Sequence, residues 1–184
     1  MPAVPSSIKS LRAYSKALPQ QGRDESDMAD ELASDSDRAF IILLSSFVEN
    51  SLTEAIIERL PGYSDEIDND IFGSNAPLSA FSSKIRIGQA MGIFGSKTRA
   101  CLDVLRELRN ACAHAMRPIS FSTPTLKAVC RRLPLEGAPA ENETEAHWMR
   151  HAFNMYAIYM QRALNLAGTT PESLSAEERD RYLA

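Results

Sequence analysis

The stretch from Asp37 to Leu60 constrains this chain more than any other. Phe40, Leu43, Leu44, Phe47, Val48, Leu52, Ile56 and Leu60 recur at helical spacing. Ser36 or Asp37 can cap the segment, and Pro61-Gly62 ends it. Ile41, Ile42 and Ile57 widen the apolar surface beyond one stripe. A helix that is apolar nearly all round must be covered on several sides, so this one is expected at the centre of a bundle or shared with a partner chain.

Three more helices follow from the same periodicity. The spacing predicts one over about Ser79–Ile93, carrying Phe81, Ile85 and Met91, closed by Gly95. The next runs over Lys97–His114, capped by Ser96, and buries Cys101, Leu102, Leu105, Leu108 and Cys112. The last spans about Glu145–Ala167, repeats Trp148, Ala152, Met155, Tyr159, Ala163 and Leu166, and ends at Gly168. A short helix begins at Ser122-Thr123-Pro124 and ends near Arg132, with proline in a tolerated first-turn position. Gly62–Leu78 is a polar loop with Gly73 and Pro77, and Pro134–Thr144 is a linker. No strand pattern emerges. The expectation is an all-α bundle of four to five main helices, one domain over residues 35–167. A polar, acidic arm (residues 1–34, with a short helix around Ser7–Ala17) precedes it, and a polar tail (residues 168–184) follows.

Charge is unevenly spread. Asp24 to Asp37 holds seven acids and no Lys or Arg; Lys84 to Arg132 holds ten Lys or Arg against Asp103 and Glu107. The basic stretch is either a set of solvated helix faces or an anion-attracting surface. The overall charge of −4 argues against general nucleic-acid affinity. Cys101, Cys112 and Cys130 form no CxxC pair and read as reduced core thiols, which points to a cytoplasmic protein. There is no signal-peptide pattern, and no apolar run reads as long enough to span a bilayer. No Gly-rich phosphate loop, metal cluster or cofactor motif stands out, so no cofactor is expected.

The chemistry-bearing residues concentrate in Arg109-Asn110-Ala111-Cys112-Ala113-His114. Together with Asn75-Ala-Pro-Leu-Ser-Ala-Phe-Ser-Ser-Lys-Ile85, the run Leu105–His114 and the following Ile119-Ser-Phe-Ser-Thr-Pro124 resemble the mannitol operon repressor family. Ser36-Asp-Arg-Ala and Glu49-Asn-Ser-Leu52 fit that family's opening helix. The resemblance covers about residues 35–133. Cys112 stands where the family has an aromatic residue, and the chain beyond Pro134 matches no family pattern. The resemblance implies transcriptional regulation, acting through protein contacts more than by operator binding, since no helix-turn-helix with a basic recognition helix is visible. The family is in turn similar to HEPN domains, small α-bundles that usually dimerise. Many of those are metal-independent ribonucleases built on an arginine and a histidine with four to six residues between them, a spacing that Arg109 and His114 satisfy with four.

In that second reading His114 exchanges the proton of an RNA 2′-hydroxyl, Arg109 stabilises phosphate charge, Asn110 orients either, and Glu49 is a fourth member that orients Arg109 or His114. No metal is required, because the product is a cyclic phosphate. Residues five apart on a helix lie about 140° apart around its axis, so Arg109 and His114 cannot share one face of a straight helix, whereas Asn110 and His114 do. A working site therefore needs the helix to end near His114, or two chains to pool their motifs. The structural reading is that Arg109 bonds Glu49 across helices while His114 and Asn110 satisfy loop carbonyls. Elsewhere, His147 and His151 lack acids or thiols to complete a metal site. Trp148, Tyr156 and Tyr159 read as core or interface, and Ser45 and Ser46 lack a neighbouring base.

Overall fold

The computed structural model describes residues 36–169; the acidic arm, its Ser7–Ala17 segment and the tail beyond 169 lie outside the described residues. Within them the chain is all-α, with six helices and no strand. They are α1 (Asp37–Glu58), α2 (Asp68–Phe72), α3 (Phe81–Ala90), α4 (Ser96–His114), α5 (Pro124–Cys130) and α6 (Glu145–Thr169). Four are long, as the periodicity implied; α2 is a single extra turn inside the expected Gly62–Leu78 loop. It is held there by Tyr63, whose hydroxyl donates to Asp68 at 3.1 Å and whose ring meets Phe72 edge-on.

α1 is the central element, packed against α6, α4 and α3. Ser36 caps it, accepting the Ala39 N–H at 3.3 Å. Ile41, Val48, Leu52 and Ile56 are fully buried, which is why the helix is apolar over so much of its surface. By length and composition α1 could span a bilayer, contrary to the sequence expectation; just over half of that apolar window is buried inside the bundle. The core closes around three aromatic rings, Phe40 of α1, Phe121 of the loop after α4 and Phe153 of α6, with centroids 5.8 to 6.5 Å apart. Each such ring contributes about 1.5–3 kcal/mol by leaving water.

Several expected boundaries shift by a few residues, three of them as follows. α3 ends at Ala90 and not Ile93, because Gly92 adopts a left-handed φ of +69°. The Ile93 N–H then reaches the Gly88 carbonyl and the Gly92 N–H reaches Gln89, a Schellman closure. Gly92, not Gly95, is therefore the stop. α4 begins with Ser96 as its first helical residue; Gly95 is the cap and no side chain caps it. α6 runs through Gly168 to Thr169.

The buried face of α6 keeps Ala152 and Ala163 of the expected stripe but departs from it at three other positions. Met149, Phe153, Tyr156, Met160 and Leu164 are buried, whereas Met155, Tyr159 and Leu166 are 53%, 40% and 67% exposed. Both sets have helical spacing, so periodicity alone could not choose between them. Cys101, expected in the core, is only half-buried.

Candidate functional site

α4 carries the Arg109–His114 motif and divides it between two surfaces. Leu102, Leu105, Leu108 and Cys112 face the core. Arg109 follows this stripe and lies on its flank, next to α1. Asn110 and His114 lie on the outer strip with Glu107 and Ala111. Asn110 is half-buried and His114 exposed, and neither side chain makes a hydrogen bond or ion pair among the described residues. The expectation that they satisfy loop carbonyls is therefore not met.

Arg109 does meet Glu49, as the structural reading required: Nη1 lies 2.8 Å from Oε2. Glu49 sits between Val48 and Leu52 on the packed side of α1 and is only 8% exposed. Its other oxygen, Oε1, accepts from Lys84 Nζ of α3 at 2.9 Å. One buried carboxylate thus joins three helices and serves two cations. Lys84 was visible in the sequence as part of a family pattern and as the first cation of the basic stretch. Its physical signal is a lysine at an apolar position, three residues after Phe81 and next to Ile85, matching an acid at an apolar position of α1.

The end of α4 has its own fixture. Arg38 of α1 donates from Nη1 to the Ala115 carbonyl and from Nη2 to the Ala113 carbonyl, both at 3.1 Å. It satisfies carbonyls that a helix end leaves without intrahelical partners. Ala115 turns extended (φ −61°, ψ 124°), so the helix stops at His114. Asp37 fixes the next segment, accepting the Phe121 N–H at 2.9 Å and Arg150 of α6 at 2.6 Å. The Arg150 guanidinium also stacks over Phe40 at 3.9 Å from its ring centroid. In the sequence Asp37 stood out only as a possible cap, and Asp37 and Arg38 as part of a family pattern; Arg150 gave no signal, since it sits at a helix position where a solvated charge is ordinary.

The structure therefore brings Glu49 to Arg109, adds Lys84, ends the helix at His114, and keeps Asn110 and His114 on one open strip. It gives no contact between Arg109 and His114. Much of the basic stretch is neutralised internally. Arg99 and Arg106 pair with Asp103, Arg106 also with Glu107, and Lys127 and Arg131 with Glu145. Positive charge in excess of its partners remains at the Lys84–Glu49–Arg109 cluster.

The other candidates resolve simply. Burial pushes the Cys112 thiol up to about 11 and the Cys130 thiol up to about 12, so neither is a nucleophile near neutral pH. His147 pairs with Glu143 at 2.6 Å, an interaction that helps hold the Glu143 carboxyl below its usual range. Among the described residues no three metal-donor side chains converge. Tyr156 is buried with its hydroxyl beside Cys101, and burial raises its pKa. Trp148 is half-buried. Ser46 donates to the Ile42 carbonyl at 2.8 Å, and Ser45 is buried with no partner for its hydroxyl among the described residues.

No family model, no characterised protein and no solved structure matches this chain.

Proposed function

We propose that this chain is a regulatory domain of the mannitol operon repressor kind, HEPN-like in its bundle, that works as a homodimer through protein contacts. The observation that carries this reading is the outer face of α1. Ile42, Leu43 and Phe47 lie on the side away from the core and stay half-buried in the single chain, ahead of the exposed Glu54 and Glu58 at the end of the helix. Between Arg38 and Glu54 the only charged residue is Glu49, which is turned inward. A neutral, apolar helix face meets its own copy across a two-fold axis without like-charge repulsion. Unpaired cysteines suit a reducing cytoplasm. Sedimentation at micromolar concentration should give a dimer, and Phe47→Glu should give a folded monomer; a monomeric wild type overturns the reading. The protein partner that the dimer regulates is of unknown identity, and operator DNA is a poor fit to a bundle without a recognition helix.

A second reading, a metal-independent endoribonuclease or RNA-binding protein, is favoured by the open strip. Asn110 and His114 are side by side at a helix end with their polar groups uncommitted, and Arg109 lies on the adjacent flank. It predicts cleavage of single-stranded RNA in EDTA, leaving cyclic phosphate ends, and lost in His114→Ala. Equal cleavage by wild type and that variant would remove it.

A further inference from the structure

We infer that Lys84 is a positioning residue that keeps Arg109 open to an oxyanion. The inference rests on the second reading for its ligand, the phosphodiester of single-stranded RNA. Arginine and carboxylate usually meet through two parallel hydrogen bonds. Here a single Nη1–Oε2 contact is made, because Lys84 occupies Oε1. The remaining donors of Arg109, Nε and Nη2, have no partner among the described residues. Accessibility orders the three groups: the Lys84 and Glu49 side chains are each 10% exposed, and that of Arg109 is 32% exposed. Two cations share one acid, leaving a net charge of +1 in a largely dry setting, where an uncompensated charge is costly.

Only the guanidinium reaches solvent well enough to recruit a counter-anion. Four other arginines are committed elsewhere: Arg38 to two carbonyls, Arg99 and Arg106 to Asp103, Arg131 to Glu145; Arg86, Arg117 and Arg132 are exposed and belong to no such cluster. Lys84 thus never touches the ligand, yet its removal would hand both oxygens of Glu49 to Arg109 and withdraw the guanidinium. Removing the charge of Glu49 would have the opposite result.

The test is titration of a fluorescein-labelled single-stranded RNA by full-length wild type, Lys84→Met, Glu49→Gln, the double variant and Arg109→Gln, over a range of salt. Circular dichroism confirms folding, and the isosteric replacements limit damage to packing. Wild type should bind; Lys84→Met should weaken binding about tenfold, and its salt slope should fall by about 0.7, the single-strand value for one phosphate contact. Glu49→Gln should tighten binding, and adding it to Lys84→Met should restore affinity. A merely structural role for Lys84 moves stability without this opposition of sign. If Lys84→Met and Glu49→Gln shift affinity in the same direction, or not at all, while Arg109→Gln abolishes it, the role of Lys84 is overturned and the RNA reading stands. If wild type binds no RNA even at low salt, both fall.

Discussion

Glu49→Ala should be the most destabilising single change on the polar side of this core. The carboxylate is 8% exposed and is the only acid that meets Lys84 or Arg109 among the described residues. Without it the ammonium of Lys84, a residue that is itself 8% exposed, is left inside with no counter-charge. Removing one partner of a buried pair costs about 3–5 kcal/mol, because the other charge stays behind. Lys84 bears that cost; Arg109, one-third exposed, can turn toward water. The expected loss is therefore near the lower bound, about 3 kcal/mol, within a total stability of about 5–15 kcal/mol for a domain of this kind. At roughly 3–4 °C per kcal/mol the melting point should fall by about 10 °C. Arg109→Ala should cost far less, about 1 kcal/mol, since it leaves Lys84 and Glu49 as a balanced pair. Replacing Glu49 and Lys84 together with methionine should recover most of the loss. Urea and thermal unfolding, followed by circular dichroism, measure all three. An Arg109→Ala loss equal to that of Glu49→Ala, or a Glu49→Ala loss below about 1 kcal/mol, would refute the one-acid, two-base account.

Arg38→Ala should fray the last turn of α4, seen as faster amide hydrogen exchange there, and cost about 1–2 kcal/mol for two charge-assisted bonds at a partly solvated site. Gly88→Ala should destabilise despite a gain in helix propensity of about 1 kcal/mol, because the new Cβ would lie 2.9 Å from Phe94 Cε1 and 3.1 Å from Leu52 Cδ1; a rise in the urea midpoint would contradict that packing. At pH 8 a thiol reagent should modify Cys101 quickly and Cys112 and Cys130 only after unfolding. Because both buried thiols titrate above their unfolded value near 9, their contribution to stability is intact below that pH. It declines as pH rises, for Cys112 until about 11 and for Cys130 until about 12.

The class of fold was legible because the signal was redundant. α1 repeats its apolar residues over many turns, and its Ser36 cap and Pro61-Gly62 stop agree with that span. Where a single residue decides, legibility ended. Gly95 reads as the stop for α3, and only the tertiary path shows that Gly92 is the residue that adopts a positive φ. On α6, Met155, Tyr159 and Leu166 share a helical spacing as regular as that of the residues one position along, and the contact with α1 selects the latter.

The same distinction governs the motif on α4. The spacing of Arg109 and His114 is a property of the chain, but the direction of Arg109 is a property of its surroundings. A buried carboxylate across the helix interface outcompetes water for a guanidinium, so Glu49 draws Arg109 to the flank facing α1. His114 stays on the outer strip because α4 stops there, held by Arg38. The separation of about 140° that an ideal helix imposes is therefore preserved by two independent fixtures on α1. Bringing Arg109 and His114 to one phosphate within a single chain would require breaking a buried ion pair or unwinding the last turn of α4. A ligand long enough to bridge the two faces, or a second motif supplied by another copy, would require neither. Any RNA chemistry here is accordingly expected to depend on the length of the strand or on dimerisation, and a dinucleotide should be a far poorer substrate for a monomeric variant than a longer strand is for the dimer.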